Sequence, residues 1–132
     1  MDPEAKKTVL VVEDDIPTAL AMGSALEQEG YAVLRAADGE EGLRIALEKH
    51  PDVILVDLML PKVLGMKLIS ELRHDEWGKN ARVVILTNAS DMGNMQAALM
   101  NQAFYYLVKG DSSVADVLRA VRAQVAKRPD EQ

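Results

Sequence analysis

The chain has 132 residues, 48% of them hydrophobic and 27% charged, with 15 basic against 21 acidic side chains and a net charge of −6. One domain of ordinary size accounts for that length. The acidic balance argues against direct nucleic-acid binding, because the basic clusters Lys6-Lys7 and Lys127-Arg128 fall at the two ends. Cysteine is absent, which excludes disulfides, thiol catalysis and Cys-ligated zinc. No apolar run approaches the roughly 20 residues of a membrane span, and the polar N-terminus lacks a signal peptide's apolar stretch. A cytoplasmic chain without membrane contact is expected.

Residues 1–6 read as a tail. The run at 8–12 is short and continuously apolar, which predicts a strand buried on both faces. Pro17 suits the first turn of a helix reaching about Glu29, with Asp15 as its cap and Gly30 closing it. A weaker run at 31–36 reads as an edge strand. Asp38, with Glu41 three residues on, makes a capping-box-like start for a helix that ends before Pro51.

The run at 53–56 predicts a third strand, after which Met66, Ile69 and Leu72 place an apolar stripe on a third helix. Trp77 lies in a polar connection, 75–79, and is expected to fold over the adjacent core. The runs at 82–87 and 104–108 predict a fourth and a fifth strand, separated by a helix striped with Met92, Met95 and Leu99. On the last helix Val114, Val117, Leu118, Val121 and Val125 follow the i, i+3, i+4, i+7 rule, with Asp111 or Ser112 as cap. Residues 128–132 form a second tail, leaving 7–127 as the domain. Strand and helix thus alternate five times, which implies an α/β fold with a parallel sheet and helices on both faces.

In open sheets of this kind, ligands bind beyond the carboxyl ends of the strands. The first strand ends in Glu13-Asp14-Asp15, the third in Asp57, the fourth in Thr87-Asn88 and the fifth in Lys109. Carboxylates at this density repel unless a cation sits among them. Mg²⁺ favours one or two carboxylates plus waters and phosphate oxygens, so Glu13, Asp14 and Asp57 make an open site, with Asp15, chiefly a helix cap, as a lesser candidate for the metal. A carboxylate is also a competent nucleophile towards phosphorus. The Lys109 ammonium and Thr87 hydroxyl would help to neutralise the equatorial oxygens in the transition state. His50 and His74 lack ligand company and are expected to be solvated. The seven methionines read as stripe and gap-filling residues.

The set Glu13-Asp14, Asp57, Thr87 and Lys109, at these strand ends and spacings, resembles the receiver domains of two-component response regulators over residues 7–127. Asp57-Leu-Met-Leu-Pro61 matches the family's phosphoacceptor segment, Gly65 its turn into the third helix, and Tyr106 its aromatic switch position. The resemblance implies a flavodoxin-like (βα)5 doubly wound fold with five strands in the order 2-1-3-4-5. Asp57 would accept a phosphoryl group from the phosphohistidine of a sensor histidine kinase or a histidine phosphotransfer protein. Asp14 would ligate Mg²⁺ directly, Glu13 directly or through water, and the Met59 backbone carbonyl would complete the protein's share.

The resemblance further implies that Thr87 and Lys109 bind phosphoryl oxygens. Inward movement of Thr87 would let Tyr106 rotate, reshaping the surface of the fourth helix, fifth strand and fifth helix for an unidentified downstream partner or output domain. The chemistry expected is self-catalysed phosphoryl acceptance and slow autodephosphorylation, not enzymatic turnover.

Several positions depart from the family pattern. Gly110 follows Lys109 where the family has proline, so a trans bond and reduced phosphorylation are expected. Asn88 replaces a very small residue. Met59 and Ala89 are apolar and cannot orient an attacking water, which predicts a long-lived phosphoryl group. Gln102-Ala-Phe-Tyr105 replaces an acidic stretch that serves dimer pairing in transcription-factor relatives. Phe104 then either packs into the core or joins an exposed aromatic docking patch. The alternative function is a phosphorylation-independent docking module. Flavodoxin-type chemistry fits poorly with acids after the first strand, and Met59 stands where a haloacid-dehalogenase-type phosphatase has its second acid.

Overall fold

The structure, a computed structural model, describes residues 6–57, 65–87, 105–108 and 114–126. Five parallel strands form one sheet: β1 (Thr8–Val12), β2 (Ala32–Ala36), β3 (Val53–Asp57), β4 (Val83–Thr87) and β5 (Tyr105–Val108). Their order is β2-β1-β3-β4-β5, as the resemblance implied. The helices are α1 (Ile16–Gln28), α2 (Gly39–Lys49), α3 (Gly65–Arg73) and α4 (Val114–Ala126), with a 3₁₀ turn at Gly78–Asn80. The expected helix striped with Met92, Met95 and Leu99 lies outside the described residues, as do Phe104, the caps Asp111 and Ser112, and residues 128–132.

Successive strand residues point to opposite sides, so the sheet separates two cores. Leu10, Val12, Ile54, Val56, Val83 and Ile85 pack with Leu68, Ile69 and Leu72 of α3. Val9, Val11, Val53, Leu55, Val84 and Leu86 pack with Leu26 of α1 and with Val117, Ala120 and Val121 of α4. Burial on both faces is why these runs are continuously apolar. Full burial of each such side chain contributes about 1.5–3 kcal/mol. β2 is the edge strand, and its pattern is correspondingly mixed, from half-buried Ala32 to exposed Arg35.

Helix ends follow the local chemistry. Asp15 caps α1, its Oδ2 accepting from the Thr18 amide at 3.0 Å, and Gly30 takes a positive φ of 96° just past the helix end. Asp38 accepts from the Glu41 amide at 2.8 Å. The return arm from Glu41 reaches the Ala37 amide at 3.2 Å, one residue earlier than a full capping box would place it. α2 ends on His50, which adopts the left-handed conformation with φ 50°.

Trp77 packs against the α3 side of the core as expected. The histidine beside it, His50, is exposed as expected, and its ring in addition stacks on the Trp77 indole. His74 is exposed, with its Nδ1 2.8 Å from the Ser70 carbonyl. Val114 also departs from expectation. Although it continues the α4 stripe by spacing, it is exposed. As the first residue of α4 it extends the stripe past the stretch that the core covers. Arg73 closes the end of α3 by donating to the carbonyls of Gly78 (2.6 Å) and Ala81 (2.9 Å). Partial burial there lowers the guanidinium pKa from its usual value. Among the described residues no helix is long and apolar enough to cross a membrane.

Candidate metal and phosphoryl site

The site is built at the carboxyl edge of the two central strands. Val12 and Val56 are register partners, so Glu13 and Asp57 follow side by side. The Glu13 amide donates to the Ala36 carbonyl at 3.0 Å, which carries the β1–β2 ladder one residue beyond the strand. Both acids are buried, Glu13 at 3% and Asp57 at 5% exposure, whereas Asp14 is exposed. Carboxylate oxygens of Glu13, Asp14 and Asp57 all lie within 4.8 Å of one another.

Buried carboxylates are costly without compensation. Three hard oxygen donors, two enclosed and one open to solvent, suit Mg²⁺. That ion takes few protein ligands and keeps positions for water and phosphate oxygens. The donor set therefore fits. Asp15 stands apart from this group: its side chain turns to its own helix and accepts from both the amide and the hydroxyl of Thr18. Its backbone amide donates to Glu13 Oε2 at 3.2 Å.

Of the other anticipated site residues, Thr87 ends β4 and is the register partner of Val108, and Tyr106 pairs with Ile85. For these two only the backbone is described. Lys109, Met59, Asn88, Ala89 and Gly110 lie outside the described residues.

One feature near the acids was missed in the sequence. Ile16 and Leu20, four residues apart on α1, are 68% and 50% exposed. With Glu13, Arg35, Ala36 and Glu41 they line a shallow hollow of about 200 Å³ beside the carboxylates. The signal was available in principle, since an apolar i, i+4 pair marks one helix face. Periodicity cannot say whether that face is covered.

Comparisons with known proteins agree with this geometry. The family model described as the response regulator receiver domain matches residues 9–122. The DNA-binding dual master transcriptional regulator RpaA of Synechocystis is 35% identical over 115 residues, which cover 87% of this chain and 47% of that protein. The phosphate regulon regulatory protein PhoB of Pseudomonas aeruginosa is 32% identical over 103 residues, covering 78% of this chain and 45% of its own length. The chain thus spans about half the length of the curated relatives it matches.

Among solved structures, the receiver domain of a Pseudomonas aeruginosa sensor histidine kinase is similar, with TM-score 0.84 and 28% identity over 93% of this chain and 100% of that one. A magnesium ion is coordinated in the active-site cleft of that protein. The chemotaxis response regulator CheY4 of Vibrio cholerae superposes with TM-score 0.84 at 27% identity, covering 91% of this chain and 99% of that one.

Proposed function

The chain belongs to the response regulator receiver family, and from that premise we propose that its phosphoacceptor is Asp57, loaded with Mg²⁺ at Glu13, Asp14 and Asp57. The observation that supports this reading is the gathering of those three carboxylates within 4.8 Å at the carboxyl end of the central strands. The family is one of signalling domains, which respond to phosphorylation in two-component systems and do not turn over a separate substrate.

In the proposed reaction an Asp57 carboxylate oxygen forms a bond to phosphorus while the donor's nitrogen–phosphorus bond breaks, and the leaving imidazole takes up a proton. Bound Mg²⁺ supplies charge compensation for the phosphoryl oxygens and the three carboxylates. Asp14 and Asp57 would hold the ion directly and Glu13 directly or through water, with the Met59 carbonyl completing the protein's share. Lys109 and Thr87 bind phosphoryl oxygens. Because the carboxylate's own charge goes into the new bond, Asp57 passes from about −1 to about −2, a net addition of about −1 with three strong acceptor oxygens. Thr87 and Tyr106 convert that charge into a changed surface for a downstream partner or output domain. The donor is a sensor histidine kinase or a histidine phosphotransfer protein. The exposed Ile16 and Leu20 provide apolar surface for it beside the acids. Gly110 slows loading by leaving Lys109 less fixed, and apolar Met59 and Ala89 slow loss of the phosphoryl group.

The test is to incubate the chain with Mg²⁺ and a small phosphodonor and to weigh the intact protein. A gain of one phosphoryl group that disappears in Asp57→Asn is the expected outcome. No gain would favour a docking module that works without phosphate.

A further inference from the structure

We propose that Asp15 is a positioning residue for the metal site, acting through the carboxylate of Glu13 without touching the ion. The inference rests on the reading of Glu13, Asp14 and Asp57 as a Mg²⁺ site.

The turn from β1 into α1 is tied at three points. The Glu13 amide is fixed to the Ala36 carbonyl at 3.0 Å, which anchors the start of the turn to β2. The Asp15 amide donates to Glu13 Oε2 at 3.2 Å, which selects one placement of a side chain with three rotatable bonds. The Asp15 side chain accepts from the Thr18 amide at 3.0 Å and from the Thr18 hydroxyl, while its carbonyl accepts the first helical bond, from Ala19, at 2.9 Å.

The cap holds Asp15 in extended backbone, φ −79° and ψ 107°. Where the Asp15 amide points depends on that conformation. If the cap is lost, the first turn of α1 frays, the amide leaves Glu13, and repulsion from Asp14 and Asp57 pushes the Glu13 carboxylate out of place. Outer groups that orient a metal's ligands typically change affinity by an order of magnitude or more.

The experiment is a calorimetric titration of the whole chain with Mg²⁺, run on the unaltered protein and on D15A and D15N, with circular dichroism of each metal-free sample. D15A and D15N lose the same negative charge, but asparagine caps helices about as well as aspartate. D15A should therefore bind Mg²⁺ roughly tenfold more weakly, and D15N within about threefold of the unaltered chain. Equal weakening in the two variants assigns the effect to charge and overturns the proposal, as does unchanged affinity in D15A. Failure of the unaltered chain to bind Mg²⁺ would remove the metal reading itself and this inference with it. If D15A does not fold, Thr18→Ala takes its place, since it deletes one donor to the cap and leaves every carboxylate. About threefold weaker binding is then expected, the worth of a single net hydrogen bond, and unaltered binding overturns the proposal.

Discussion

Val12 of β1 and Val56 of β3 face each other in parallel register, and the acids that succeed them, Glu13 and Asp57, are thereby delivered to one place by main-chain pairing alone. The acidic site is a consequence of sheet register, held by two buried strands that have little freedom to shift.

Crowding of like charges gives the first prediction. Urea denaturation should show Asp57→Asn to be more stable than the unaltered chain without metal, by about 1 kcal/mol or more, because one of three mutually repelling carboxylates is gone. Mg²⁺ should reverse the order. At a hundredfold excess over its dissociation constant it adds about 2.7 kcal/mol to the unaltered chain, and less to the variant. A metal-free Asp57→Asn that is less stable would show that the carboxylates do not repel as argued.

The His50–Trp77 contact gives the second. The rings stack with centroids 4.3 Å apart and planes 8° from parallel, while His50 carries a left-handed backbone. His50→Ala keeps the backbone strain and loses the stack, for a cost of about 1 kcal/mol. His50→Gly loses the stack but relieves about as much strain, and should be close to neutral. Chemical denaturation measures the difference, and Trp77 emission, from the only tryptophan present, should change in both variants. Equal stabilities for the two would mean the left-handed backbone costs nothing here.

Two glycines give the third. A Cβ on Gly78 would lie 2.2 Å from the Leu72 carbonyl oxygen, which is main chain and cannot yield. Gly78→Ala should cost roughly 3 kcal/mol, at the upper end for overpacking. The nearest atoms to a Cβ on Gly23 would be those of the Arg35 guanidinium, at 2.7 Å. That side chain can swing away from its exposed, 3.7 Å pairing with Glu27. Gly23→Ala should gain about 0.5 kcal/mol from helix propensity. Thermal melts of both variants check the contrast, and a Gly23→Ala chain that melts lower would show that Arg35 is not free to move.

Gln124 gives the fourth. It is 1% exposed on α4, and its Oε1 is buried with no hydrogen-bond partner among the described residues. Gln124→Leu removes that cost and should raise stability by about 1 kcal/mol. Urea unfolding decides, and a loss of stability would show that the amide is satisfied in solution.

The sequence made legible whatever depends on local pattern. Runs such as 53–56 had to be strands covered on both faces, and Asp15 and Asp38 had to be caps, because both follow from near neighbours. What stayed hidden depends on distant ones. Nothing in residues 50 or 77 alone announces a stack between them. The 3% exposure of Glu13 follows from the elements closing around it, not from its own type. Exposed Val114 and Ile16 obey helical spacing but lie where no layer covers them.

The same buried strands have a cost outside the native state. Residues 53–56 read Val-Ile-Leu-Val between Asp52 and Asp57, and 83–86 read Val-Val-Ile-Leu after Arg82. Short, uncharged, β-branched stretches of this kind stick to one another when the chain is unfolded, and flanking charges act as gatekeepers. Asp57 thus guards one end of one such segment. Without metal, neutralising it should strengthen the native fold while making the unfolded chain more prone to aggregate, so refolding yield should fall with protein concentration even as the metal-free melting temperature rises.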